Sequence, residues 1–491
     1  MTIASSRALP LVIQGGMGIG VSNWTLAGAV ASRGHLGVVS GTCLDSLFVR
    51  RLQDGDVGGH LRRAMEAFPL PFVAADVLKR YFLPNGRKEG EPYRLLSMWK
   101  QRVSENREWV TMLAGFVEVH LAKEGHAGPV RMNLLTKVQL PNLATLYGAM
   151  LAGVDYVLMG AGIPREIPGA LDAMAEHRPA SLRFDVEGLE PGRQEELTFD
   201  PGAHWGSEPP PPIERPRFLP IVSSHSLARM LARKANGRVD GFVVEAPCAG
   251  GHNAPPRGEL RTDERGQPLY GDRDEVDLDE MRDLGLPFWL AGGTGSPGGL
   301  TDALEAGGAG VQVGTLFAYA EESGLDPGLK RRVLDGVRAG KARLRTDLKA
   351  SPTGFPFKVV DLEETNSDPR RYEARERVCD LGYLRTAYQR EDGRIDYRCP
   401  AEPVAAFRKK GGRPEDARGR KCLCNALMAD VGHGQLREDG PELPLLTSGD
   451  DLLEMGRFLQ GRRSYSAGDV LDFLLSGRWP GPDPSAGTHP G

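Results

Sequence analysis

Short apolar runs recur along the chain, separated by amphipathic stretches. The runs are Leu11–Gly16, Leu36–Gly41, Val130–Leu135, Val154–Gly160, Phe218–Ser223, Gly241–Ala246, Pro287–Gly292 and Gly310–Gly314. Each is short, rich in β-branched or aliphatic residues, and closed by a small residue, as strands buried on both faces read. Between them, Asn23–Ser32, Pro141–Leu151, Pro164–Glu176, Ser226–Lys234, Asp277–Leu284 and Pro297–Ala306 carry helical spacing. Several open with Ser, Asn, Asp or Pro, the residues that helix N-termini favour. Eight strands alternating with helices predict an α/β fold, a (β/α)8 TIM barrel. A doubly wound open sheet is the alternative.

Two insertions interrupt the rhythm. Residues 44–127 are too long for one crossover and carry their own helical patterns, at Tyr93–Arg102 and Trp109–Lys123. Residues 179–216 include the run Pro209–Pro212, which cannot continue a helix and reads as an extended spacer. The rhythm stops near Asp347. The chain therefore divides into a barrel over residues 1–346, with its two insertions, and a C-terminal extension over 347–491 that holds four of the six cysteines.

Of the 491 residues, 40% are hydrophobic and 26% charged, which excludes a disordered chain. A net charge of −4 gives no overall pull towards nucleic acid or an anionic membrane. The basic stretch Arg408–Lys421 reads as a solvated loop. No apolar run is long enough to span a bilayer. Met1–Pro10 lacks the basic and apolar regions of a secretory signal. A cytoplasmic protein acting on a small molecule is the expectation; the sequence does not specify an oligomeric state.

In such a barrel the chemistry belongs where strands end and βα loops begin. The first run ends in Gln14-Gly-Gly-Met-Gly-Ile-Gly20, the sixth in Glu245-Ala-Pro-Cys-Ala-Gly-Gly-His252, the seventh in Ala291-Gly-Gly-Thr-Gly295, and the eighth in Gly314-Thr315. Glycines let backbone N–H groups approach an anion, and both of the last two loops lead into helices, so two N-termini converge on one phosphate. His252, in a glycine-rich loop at the working face, is the candidate general base or acid. His225, after the fifth run, fits a helix N-terminal role as well as a site role.

Taken together, PLVIQGGMGIGVS near the start, MNLL at 132–135, IVSS at 221–224, VEAPCAGGHNAPPRG at 244–258 and AGGTGSPGGLTDALEAGGAGVQVGTLF at 291–317 resemble the nitronate monooxygenase (2-nitropropane dioxygenase) family and the related FMN-dependent enoyl-ACP reductases. The resemblance spans roughly residues 8–325. It implies non-covalent FMN at the barrel mouth, with Gly15, Gly16 and Met17 along the ring and Asn133 and Ser223 flanking it. It also implies Gly250 and Gly251 near the flavin, Gly292, Gly293, Gly314 and Thr315 at the phosphate, and His252 near the flavin and the substrate. The expected reaction is oxidation of nitronate- or nitroalkane-like substrates with O2. An NAD(P)H-dependent enoyl thioester reductase and a non-catalytic flavin-binding protein are the alternatives. Cys248 stands where the family has Glu, and the loop Asn253–Arg257 departs from its pattern.

Cys379, Cys399, Cys422 and Cys424 match the count for a four-thiolate zinc or iron–sulfur centre, although Cys-X-Cys is not the usual zinc spacing. Four buried free thiols are the competing reading.

Overall fold

The computed structural model of the chain describes residues 9–478. Residues 1–8, most of the segment read for a signal, lie outside the described residues. Eight parallel strands form one sheet: β1 (Val12–Gln14), β2 (Gly37–Ser40), β3 (Val130–Leu135), β4 (Tyr156–Gly160), β5 (Arg217–Val222), β6 (Phe242–Glu245), β7 (Phe288–Ala291) and β8 (Gly310–Val313). Their order is β1-β8-β7-β6-β5-β4-β3-β2. A parallel bridge between Ile13 and Leu36 joins β1 to the start of β2. Backbone bonds from Gln14 N–H to Leu36 and from Leu36 N–H to Val12, both 3.1 Å, close the barrel there. All eight apolar runs are barrel strands, and the open-sheet alternative is excluded.

The strands read as continuous apolar runs because both faces are covered. Ile13, Val38, Leu158, Leu219, Val243 and Trp289 fill the lumen, while neighbours such as Val12, Val39, Val157 and Phe242 pack into the larger core outside it. The Trp289 indole N–H donates to the Pro10 carbonyl at 2.7 Å, plugging the lower end of the barrel. The helices follow the sequence reading closely. Trp24–Ala31 is capped by the Asn23 side chain and His225–Lys234 by Ser224; Pro297–Glu305 is capped by Ser296.

Two segments differ from the sequence reading. Tyr93–Arg102 forms no helix, although Tyr93, Leu96 and Trp99 are buried at threefold spacing. Gln53 and Gln435 side chains accept hydrogen bonds from the backbone N–H groups of Arg94 and Tyr93, and Trp99 donates to Asp45. Tertiary partners thus take the bonds a helix would have made. The second insertion contains an antiparallel pair, Ala180–Phe184 with Glu195–Phe199, ahead of the irregular proline run.

Residues after Asp347 cross the C-terminal end of the barrel. Strand Phe357–Val360 pairs with Leu344–Asp347, and its Phe357 also bridges His252 in the loop after β6. Asn253 N–H donates to Pro356 and Lys358 N–H to Gly251, both at 2.9 Å, so the extension holds that loop like an added strand. A buried Asp45–Arg107 ion pair (2.6 Å), joined by the Tyr383 hydroxyl, ties the first insertion to the extension. No helix among the described residues is long and apolar enough to cross a membrane.

Candidate functional site

The C-terminal ends of the strands open into one cavity of about 220 Å3. Its floor is the top of the lumen. Alternation along β3 turns Arg131, Asn133 and Leu135 inward, and on β5, β6 and β7 it brings Ile221, Glu245 and Ala291 to the rim. Gly15, Gly16, Met17, Asn133, Gly250, Gly251, His252, Gly292, Gly314 and Thr315 all line this one cavity. Ser223 does not. It sits at an adjoining small recess with Arg257 and Tyr270, and its carbonyl accepts from the Arg257 guanidinium. Gly293 follows directly behind Gly292, beside Cys248.

The glycines are there for room. A Cβ on Gly16 would lie 2.3 Å from Asn133, so a side chain there would displace the asparagine. Gly292 and Gly293 have φ of 89° and 71°, the left-handed region in which glycine carries no steric cost. Asn133 donates from Nδ2 to the Gly16 carbonyl at 3.2 Å, while its buried Oδ1 has no partner. That leaves one acceptor free at the cavity floor.

His252 is held from the extension. Its Nε2 lies 2.7 Å from Ser351 Oγ, which in turn lies 2.8 Å from Thr353 Oγ1, and its ring packs edge-on against Phe357. Burial pushes the imidazole down to about 4, so it is neutral at pH 7. Burial pushes the Glu245 and Asp430 carboxyls up to about 8, so both hold their protons there. At neutral pH these three groups add no formal charge to the cavity wall. Cys248, in the position where the resemblance expects Glu, also lines the cavity, and burial followed by nearby Asp450 raises its thiol.

Several site residues carry no signal in the sequence. Thr447, Ser448 and Gly449 enter from the extension: Gly251 N–H donates to Thr447 Oγ1 (2.8 Å), Gly449 N–H to Thr315 Oγ1 (2.9 Å), and Ser448 pairs with the Tyr319 hydroxyl (2.8 Å). Asp451 closes the same corner. It accepts from the Gly295 backbone, and burial raises its carboxyl above the usual range. Beneath the floor, buried Arg131 donates to Gln312 at 2.6 Å, with Nε and Nη1 unpartnered. Gln14 braces the first loop through Gly15 and Ser22.

Part of the site lies in a stretch of the chain that is similar to known proteins. Residues 217–345 match the nitronate monooxygenase family model. That stretch runs from β5 through β8 and contains Gly250–His252, Gly292, Gly293, Gly314 and Thr315. A nitronate monooxygenase of Pseudomonas aeruginosa is 28% identical over 195 residues, 40% of this chain and 49% of the relative, so the match spans about half the relative's length. Among solved structures, FabK from Thermotoga maritima is similar with a TM-score of 0.44 and 15% identity, covering 96% of this chain and 92% of that one. A nitroalkane oxidase from Streptomyces ansochromogenes is similar with a TM-score of 0.42 and 16% identity, covering 95% and 96%.

The extension's cysteines come together. Cys379, Cys399, Cys422 and Cys424 line one small apolar cavity, and none is in a disulfide. Among the described residues no three His, Cys, Asp or Glu side chains are grouped to hold a metal ion. The tetrahedral zinc expected as one reading of the sequence therefore finds no support: zinc needs its thiolates closed on a single point.

Proposed function

We propose that this chain is an FMN-dependent oxidoreductase that oxidises small nitronate-type carbanions with O2. The observation that carries the proposal is the convergence of the glycine loops and His252 on one cavity at the barrel mouth. The cavity's chemistry fits the cofactor. Gly292, Gly293, Gly314 and Thr315 form the corner suited to a phosphate, at the position this fold commonly uses. Asp451 opposes an anion there, but its raised carboxyl limits the repulsion. Gly15 and Gly16 supply a side-chain-free edge, Met17 an apolar side chain beside it and Asn133 one free acceptor for a flat heterocycle, with Ser223 an outlying contact. Bound FMN would supply the electron acceptor, which protein side chains cannot.

The protein's own contribution is position, dryness and proton control. With Glu245 and Asp430 protonated at neutral pH, neither adds a repulsive charge against a small anion in the cavity. With a pKa near 4, His252 is a weak base at neutral pH. It therefore serves an already ionised nitronate better than a neutral nitroalkane, which must first lose a proton. Ser351 occupies Nε2, leaving Nδ1 for proton exchange with a neutral substrate.

Anaerobic mixing of the purified full chain with an alkyl nitronate, NADH or NADPH tests this reading. The nitronate is expected to bleach the flavin band rapidly and the nicotinamides slowly or not at all. Rapid bleaching by NAD(P)H but not by the nitronate would overturn the proposal in favour of an enoyl thioester reductase. Bleaching by none of them would favour a non-catalytic flavin protein.

A further inference from the structure

The four cysteines of the extension are spread over three separate pieces of chain. Cys379 follows the helix Pro369–Ala374, Cys399 directly follows the strand Ile395–Arg398, Cys422 caps the helix Leu423–Asp430 and Cys424 lies in its first turn. The fold nevertheless brings all four to one small apolar cavity. Spacing in sequence is 19, 22 and one residues, so no local constraint makes them meet.

We propose that Cys379, Cys399, Cys422 and Cys424 hold an iron–sulfur cluster. Thiols set around a shared space, rather than closed on one point, suit a polynuclear cluster whose separate irons each take thiolate ligands. The surroundings suit negative sulfur. Asn425 Nδ2 donates to Cys422 Sγ at 3.4 Å and is itself fixed by Asp380 Oδ1 at 2.7 Å. Loading a cluster of iron and inorganic sulfide replaces four S–H bonds with four iron–sulfur bonds, and four protons leave to solvent. Leu384, Leu423 and Cys424 line both this cavity and the barrel-mouth cavity, so the two sites share a wall. The inference stands on the cysteines and does not require the flavin reading.

The test is metal and sulfide analysis of the full chain, produced with added iron and purified without oxygen. Iron and acid-labile sulfide are expected in equal amounts, about two to four of each per chain, with a paramagnetic signal appearing on reduction with dithionite. Cys399→Ser and Cys379→Ser are each expected to lose most of the iron, whereas Cys43→Ser, on the barrel-mouth cavity alone, is expected to keep it. Flavin content is measured on the same samples, so failure of one site is distinguishable from failure of the other. Zinc in place of iron, wild-type protein without metal, or unchanged iron in both extension variants would overturn the assignment. If the extension variants do not fold, the wild-type analysis decides alone.

Discussion

Gly314→Asp is expected to purify without flavin, while Gly314→Ala keeps it. A Cβ on Gly314 meets nothing nearer than Met17 Sδ at 3.9 Å, and the backbone there has φ −101°, so alanine fits without strain. This position is a cleaner probe than Gly293, whose φ of 71° would strain any substitution. Aspartate at 314 adds a fixed carboxylate beside Thr315, in a corner that Asp451 already makes unfavourable for anions. Two unit charges about 6 Å apart at an effective dielectric near 20 repel by about 3 kcal/mol, roughly a hundredfold in affinity. The check is flavin content after gel filtration, with folding followed by circular dichroism. A folded Gly314→Asp protein with full flavin would remove the β8 loop from the phosphate site.

His252→Ala should separate two substrates. It is expected to retain flavin but to slow a neutral nitroalkane by about 10²–10⁴-fold, the usual cost of losing a positioned base. A preformed nitronate should be slowed much less, since it needs no deprotonation. The pH profile carries the same signature. Base action needs the neutral imidazole, and burial keeps His252 neutral down to about 4. The acidic limb of kcat/KM for the neutral substrate should therefore lie near pH 4, with the rate lost as pH falls through it, and not near the ordinary histidine value of about 6.5. Equal turnover of both substrates by the variant would take His252 out of the reaction.

How much of this was legible in sequence follows from where each constraint lies. The strands were legible because burial on both faces leaves a continuous apolar run, and all eight runs became barrel strands. The loop glycines were legible because they stand together at strand ends. The hairpin Ala180–Phe184 with Glu195–Phe199 carries a strand signal in its alternating buried and exposed residues, beside a proline run that reads as a spacer. Tyr93–Arg102 forms no helix, and its apolar spacing of three suits a helix and an irregular buried path equally. Ser351, Thr447, Ser448 and Asp451 gave no signal, since ordinary polar residues about 100–200 positions from their partners become site residues only through tertiary folding. The convergence of the four cysteines belongs to the same class: their count was visible, their common cavity was not.

The measurement that bears most directly on the central claim is identification of the chromophore released on denaturing the purified full chain. Non-covalent FMN, one per chain, released intact and able to rebind, is expected. FAD, a covalently retained flavin, or a folded protein that neither carries nor takes up FMN would contradict it.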